Sequence, residues 1–308
     1  MSTPFMQYGP QAISYNLKLR NITPPPVWAI ARILKQNQVT DKKGKNAYEP
    51  KGKLYPHDYI LSQQMDFVGP RYIHSSNGVM RYYFLNMICC DTHYAQISVL
   101  ENLSSINVCN SLIHFWKTAG IPDFLQMDND LSFWGSLIRP TALGKVIRLC
   151  LLHRVTPVFI PVREPWRNGI IEHFNHTMQG AILNSGKFEN LQQIQQAADH
   201  FRITHNQSHC YSTQGGLTAE QCRKKYNYSV FTLPVDYTFP HNIPLSEGEI
   251  HVIRFIRSDL KFNIFGLSFI LLEEALDEYV LGVIITDEHT LKIFKEQKLI
   301  AQFNFILY

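Results

Sequence analysis

Apolar positions recur along this chain in three textures. Residues 10–20 put Ile13 and Leu17 on one helical face, and residues 27–37 put Val27, Ile30, Ile33 and Leu34 on one face with Arg32 and Lys35 outside. Pro24, Pro25 and Pro26 separate the two predicted helices. From residue 59 the pattern changes to strand-like runs over 59–68, 80–90 and 94–100, with Ser76-Asn77-Gly78 as a hairpin turn between the first two. Val108, Leu112, Phe115, Trp116 and Ala119 then repeat at helical spacing behind a cap at Ser104 or Ser105, and Gly120 closes that helix. Strands are predicted over 123–128 and 156–162, and helices over 141–153, 170–185 and 191–205. The order β-β-β-α-β-α-β-α implies a mixed α/β sheet with helices on its faces. After residue 245, short apolar runs at 251–256, 262–272, 278–286, 291–294 and 299–304 predict a small all-β barrel.

The 308 residues leave room for about two or three domains. The pattern divides them into a helical segment (1–40), a linker (41–58), an α/β core (59–210), a connector (211–245) and the β unit (246–308). Residues 41–56 carry five lysines, two glycines and two prolines, a basic connector able to lie along phosphates. The two N-terminal helices, with their exposed bases, fit a helix pair entering a DNA groove. They fit a two-helix packing unit equally, since the break is longer than the tight turn of a helix-turn-helix. A net charge of +4 permits a nucleic-acid partner without requiring one.

Six cysteines, none in a CxxC pair, read as reduced thiols of a cytosolic protein. His205, His209, Cys210 and Cys222 include a His-x3-His spacing, but the sulfur spacing fits no common zinc pattern. No signal peptide and no membrane span are expected, because the N-terminus lacks a basic region before an apolar run and no run of about eighteen apolar residues occurs.

Three carboxylates stand out by position. Asp66 lies inside the first strand, where aspartate is depleted. Asp128 ends the fourth strand at Asp128-Asn129-Asp130, and Glu172 opens the helix after the fifth. Singly, each has a plain explanation: an exposed edge position, a turn, and a helix first turn facing solvent. Together they are the three sites that an RNase H-like sheet would bring to one place. Three uncompensated carboxylates repel unless a cation sits between them. Oxygen-only ligands suit Mg²⁺ or Mn²⁺, and two such ions support in-line phosphoryl displacement.

At these residues the chain resembles the DDE transposases of bacterial insertion sequences, which share their core with retroviral integrases. The resemblance covers about residues 8–305. It is carried by Asp66-Phe67-Val68-Gly69-Pro70, Phe115-Trp116-Lys117-Thr118-Ala119-Gly120-Ile121-Pro122-Asp123, Gln126-Met127-Asp128-Asn129, and above all Glu164-Pro165-Trp166-Arg167-Asn168-Gly169-Ile170-Ile171-Glu172-His173-Phe174-Asn175. It implies an RNase H-like core in which Asp66, Asp128 and Glu172 are catalytic ligands of two Mg²⁺ or Mn²⁺ ions. It also implies cleavage and strand transfer at the ends of a mobile element. The partner would be double-stranded DNA bound by a homo-oligomer in the bacterial cytoplasm and on the nucleoid, with no small-molecule substrate and no membrane. Arg163, Trp166, Arg167 and Asn175 are the implied DNA contacts, Trp166 being equally suited to packing and Asn175 being placed either to touch phosphate or to steady an acid; Arg32 and Lys35, the exposed bases of the N-terminal helix pair, are the further candidates that the helical pattern offers.

Several features depart from the family. The 43 residues from 129 to 171 that separate Asp128 from Glu172 exceed the retroviral spacing, with the excess in 132–145. Position 179 is Gln where many relatives are basic, and position 173 is His rather than Arg. The chain starts inside the segment that relatives place after a complete helix-turn-helix, so a shortened copy is expected. Two other readings stay open: a decayed or repurposed DNA-binding protein, and a nuclease of the same fold acting on RNA–DNA hybrids. His93 and His153 are lone candidates for proton transfer.

Overall fold

The computed structural model describes residues 9–37, 58–75, 78–136, 138–139, 141–183, 188–225 and 231–307. The expected basic linker, Asp58 excepted, and Ser76-Asn77 of the expected hairpin turn lie outside these residues.

Two helices, α1 (Pro10–Leu19) and α2 (Val27–Gln36), open the chain and pack on each other. The core follows as β1 (Ser62–Ser75), β2 (Gly78–Cys89), β3 (Ala95–Leu100), α3 (Ser105–Ala119), β4 (Phe124–Met127), α4 (Leu131–Trp134), α5 (Lys145–Leu152), β5 (Thr156–Phe159), α6 (Gly169–Leu183) and α7 (Leu191–Ser208). A small connector holds β6 (Cys210–Tyr211), β7 (Leu217–Thr218) and α8 (Ala219–Lys225). The C-terminal unit is β8 (Glu249–Phe255), β9 (Lys261–Ile264), β10 (Leu267–Ile270), β11 (Tyr279–Ile285), β12 (Thr290–Lys295) and β13 (Lys298–Asn304).

Within the core the strand order is β3-β2-β1-β4-β5, with β1 to β3 antiparallel and β4 and β5 parallel to β1. This is the mixed α/β sheet expected from the hydrophobic pattern, in the strand order that the resemblance implies. Alternation in each strand sends side chains to two faces. Met65, Leu85, Met87, Leu125 and Met127 meet α3 and α5 in the larger core, where Trp116 is fully buried. Val68, Phe84, Ile88 and Ile97 meet α6 and α7 through Ile171, Phe174, Met178 and Phe201. Burying Trp116 requires a partner for its indole N–H. Gln63 Oε1 accepts it at 3.1 Å, while Gln63 Nε2 donates to the Gly120 carbonyl at 2.9 Å.

Helix ends follow local chemistry. The Ser104 hydroxyl accepts from Asn107 N at 3.3 Å at the start of α3, and Asn190 accepts from Gln193 N at 2.9 Å at the start of α7. The expected helix over 141–153 is shorter, and α4 appears where a loop was expected because Asp130 caps it, accepting from Ser132 N at 2.8 Å. Gly135 and Gly144 then approach so closely that a Cβ on Gly144 would lie 2.9 Å from the Gly135 backbone. The long segment between Asp128 and α5 is thereby folded back on itself.

The C-terminal unit is all-β, as its apolar runs predict, and most of its strands continue the core sheet. β8 pairs in parallel with β5, Val158 opposite His251 and Phe159 opposite Val252. With β11, β12 and β13 it extends the core into a sheet of nine strands among the described residues. An unpaired β5 would leave a row of open backbone groups, and β8 satisfies them. The expected single strand over 262–272 is instead the β9–β10 hairpin. Phe262, Ile264 and Phe265 of this hairpin join the larger core.

Candidate active site

The parallel register of β1 and β4 aligns Ser62 with Phe124, Gln63 with Leu125 and Gln64 with Gln126. Carrying that register two residues further sets Asp66 level with Asp128, on the face that also bears Gln64 and Gln126. Adjacent strands are about 4.8 Å apart, so backbone pairing alone makes these two carboxylates neighbours.

Glu172 comes from the first turn of α6, which crosses the same face. Gln64 Oε1 accepts from Ile171 N at 3.0 Å. Gln126 Nε2 donates to the Arg167 carbonyl at 2.9 Å and to Asn168 Oδ1 at 2.8 Å. The two glutamines, each two residues before an aspartate, therefore pin the turn and the helix start that carry Glu172. Sequence reading passed over them, although Gln-x-Asp occurs at both places.

Asn175 lies one helical turn after Glu172. Its Nδ2 donates to Asp66 Oδ2 at 2.7 Å, and its Oδ1 accepts from Asn86 Nδ2 at 2.7 Å. Asn86 is itself the cross-strand partner of Asp66. Of the two roles open to Asn175, steadying the acid is the one its contacts match, since the residue is buried.

Electrostatics ties the three acids together. Burial, and after it the charges of Glu172 and Asp128, push the Asp66 carboxyl up to about 7. Burial also raises Glu172, with Asp128 adding to it. Burial raises Asp128, opposed by the Asp130 amide that donates to it at 2.9 Å. Yet among the described residues no three His, Cys, Asp or Glu side chains are gathered closely enough to hold a metal ion.

The implied DNA contacts fall into different situations. Arg163 and Trp166 are exposed on the turn before α6, Trp166 by 45%. Arg167 is engaged: its Nε lies 3.2 Å from Glu164 Oε2, and its guanidinium sits over the Tyr279 ring at 4.7 Å. Arg32 stacks over Trp28 on α2, and Lys35 of the same helix is exposed. Where a basic residue was expected at 179, Gln179 accepts a hydrogen bond from Arg71, so β1 brings a guanidinium to that place.

The histidines singled out in the sequence have partners other than the three acids. His153 Nε2 bonds the Tyr237 hydroxyl at 2.9 Å. His93, His205 and His209 cluster with Tyr211, and burial lowers His93 and His209 to about 4 and His205 to about 3. They are neutral packing groups near pH 7. The cysteines near them do not complete a metal site among the described residues.

Residues 153–218 match the family model of the integrase core domain. This match supports the integrase-type resemblance that the segment from Glu164 to Asn175 carries in the sequence. No curated protein matches the chain. Solved structures with a likeness include the catalytic core domain of BIV integrase, at 14% identity over 55% of this chain and 97% of that one, with a TM-score of 0.40. The HTLV-2 integrase catalytic core domain in complex with magnesium, in its trimeric form, is 13% identical over 52% and 94%, with a TM-score of 0.40. A simian T-cell lymphotropic virus intasome in complex with PP2A regulatory subunit B56 gamma is 14% identical over 94% and 97%, with a TM-score of 0.46. No helix of the described residues is long and apolar enough to cross a membrane.

Proposed function

We propose, from the integrase core domain matched over residues 153–218, that this chain is a DDE-type transposase or integrase. It cuts DNA at the ends of a mobile element and joins the freed 3′-hydroxyls to a target. The observation that carries this reading is the convergence of Asp66, Asp128 and Glu172 on one face of the sheet, two by strand register and the third by the Gln64 and Gln126 bonds.

The donor set fits divalent metal: three carboxylates, oxygen-only, half-buried and mutually repelling. Held by Asp66, Asp128 and Glu172, two Mg²⁺ or Mn²⁺ ions would activate the attacking oxygen and stabilise the leaving one. The chain's own groups supply the positioning. Asn175 fixes the orientation of the Asp66 carboxylate through Oδ2, leaving Oδ1 for a ligand. Arg163 and Trp166 present a cation and an aromatic face to double-stranded DNA beside Glu172. Two element ends must be brought together, so the active form is a homo-oligomer on DNA.

The test is strand cleavage and joining of duplexes that carry the DNA flanking the gene, in Mg²⁺ or Mn²⁺, with wild type and Asp128→Asn. Metal-dependent products from wild type alone are expected. Binding of DNA by both proteins with no products from either would overturn the reading in favour of a decayed or repurposed DNA-binding protein.

A further inference from the structure

The C-terminal β unit reaches the proposed site from both faces of the sheet. Arg254 of β8 is buried, and its guanidinium is distributed over four acceptors. Nε donates to the Asn263 carbonyl at 2.8 Å, and Nη1 donates to the carbonyls of Ile253 at 2.8 Å and Ile160 at 3.2 Å. Nη2 donates to Asn129 Oδ1 at 2.7 Å. Asn129 directly follows Asp128. Its Nδ2 donates to the Ile160 carbonyl at 2.7 Å, and its own carbonyl accepts from Trp134 Nε1 at 3.2 Å. Trp134 in turn stacks on Phe265, beyond β9, at 5.0 Å. Thus the residue beside Asp128 is held at three points, and two of them trace back to the C-terminal unit.

Tyr279 of β11 sits one ladder position from Arg254, which pairs with Val280, and so points to the opposite face. Its hydroxyl donates to the Glu164 carboxylate, 2.8 Å from each oxygen, while its ring lies under Arg167. Glu164 and Arg167 flank the turn whose Arg167 carbonyl is held by Gln126 and which leads into Glu172. A guanidinium is costly to bury unless its donors are satisfied. An apolar residue at 254 would fill the strand position but could not grip Asn129.

We infer that the C-terminal β unit is a positioning element of the metal site, Arg254 fixing Asp128 through Asn129 and Tyr279 fixing Glu172 through Glu164 and Arg167. This rests on the proposed transposase reading. Outer groups that orient ligating carboxylates change metal affinity by about 10–100-fold when removed. Neither Arg254 nor Tyr279 touches the reacting atoms. A docking role alone would leave metal affinity unchanged once the protein is folded.

The experiment is Mn²⁺ titration of the full chain without DNA, followed by the electron paramagnetic resonance signal of the free ion, with a melting curve for each protein. The proteins are wild type, Asp128→Asn, Arg254→Met, Asn129→Ala, the Arg254→Met/Asn129→Ala double variant and Tyr279→Phe. Arg254→Met and Asn129→Ala should each weaken Mn²⁺ binding about tenfold or more, and the double variant no further than the single ones. Tyr279→Phe, which keeps the ring under Arg167, should weaken it about tenfold. Folded variants that bind Mn²⁺ as tightly as wild type would overturn the inference, as would effects of Arg254 and Asn129 that multiply in the double variant. If Arg254→Met does not fold, Arg254→Lys and Tyr279→Phe decide by the same criterion. A wild type that binds no Mn²⁺, or binds it no better than Asp128→Asn, overturns the proposed function instead.

Discussion

Asp66→Asn should stabilise the metal-free protein at neutral and alkaline pH while abolishing DNA cleavage. The Asp66 carboxyl is moved from 3.8 to about 7 by burial and by the charges of Glu172 and Asp128. A folded-state value above the unfolded one means that the native chain binds more protons than the unfolded chain between those two values. Stability therefore falls as pH rises from about 4 to 7, and the full penalty persists above 7. Each tenfold change in proton affinity is about 1.4 kcal/mol, which caps the penalty near ~4 kcal/mol. Water reaches these half-buried carboxylates, so about 1–2 kcal/mol is the working figure. For a chain of this size that is a rise of about 2–6 °C in melting temperature. The asparagine keeps an oxygen to accept from Asn175 Nδ2, so the hydrogen bond survives the change. The assay is calorimetry in chelator from pH 5 to 8.5. The variant's advantage should grow with pH up to about 7 and then level off. Part of the wild-type slope should remain in the variant, because Asp128 and Glu172 are raised as well. Added Mn²⁺ should raise the wild-type melting temperature and leave the variant's unchanged. Superimposable curves in chelator, or a variant less stable at pH 8, would refute the argument that three uncompensated charges meet here.

Gln126→Ala removes the donor to the Arg167 carbonyl and to buried Asn168 Oδ1, at a cost of about 1–3 kcal/mol. Single-turnover cleavage should slow by about tenfold or more, on the magnitudes known for groups that orient ligands. A wild-type rate would show that the turn before Glu172 needs no such anchor. Arg167→Ala and Trp166→Ala should separate two roles that adjacent positions suggest are shared. Arg167→Ala lowers the melting temperature, since Glu164 and Tyr279, still bonded to each other, both lose the guanidinium. Trp166→Ala leaves stability within about 0.5 kcal/mol and weakens duplex binding in fluorescence anisotropy. The opposite pattern would reverse the assignment. Gly282→Ala would place a Cβ 2.3 Å from Phe262 Cζ on the β9–β10 hairpin, and should cost about 1–3 kcal/mol in chemical denaturation. A neutral effect would mean that the hairpin can yield.

Legibility followed the range of the interactions. The order of the core elements could be read because each strand and helix is announced by its own periodicity. The cap at Ser104 acts within three residues of the helix it starts, whereas α4, four residues long behind Asp130, is too short to show a period and stands where a loop was expected. The three acids could be singled out by their place in that order. Gln64, Gln126 and Asn86 were missed because a buried glutamine or asparagine has no local signature, and only the sheet register reveals what it faces. The partners of Arg167 could not be read for a related reason. An arginine in a basic-aromatic turn looks free for phosphate until Tyr279, 112 positions further on, is brought under it. The C-terminal strands could be read as strands, but not the ladder they join. Short apolar runs fit a closed barrel and an extended sheet alike, and the choice depends on the open edge of β5.

That choice bears on how the site is stabilised. Asp66 and Asp128 are set side by side by backbone pairing, which no single side chain can undo. Glu172 has no such support: its helix start depends on the Gln64 and Gln126 bonds, and its turn on Glu164, Arg167 and Tyr279. Repulsion acts on all three acids, but only Glu172 sits on an element held to the sheet by side-chain packing and bonds rather than by strand pairing. Substitutions around the turn should therefore weaken metal binding while leaving the Asp66–Asp128 neighbourhood intact. Substitutions that disturb the β1–β4 register should cost the fold itself before they cost the chemistry.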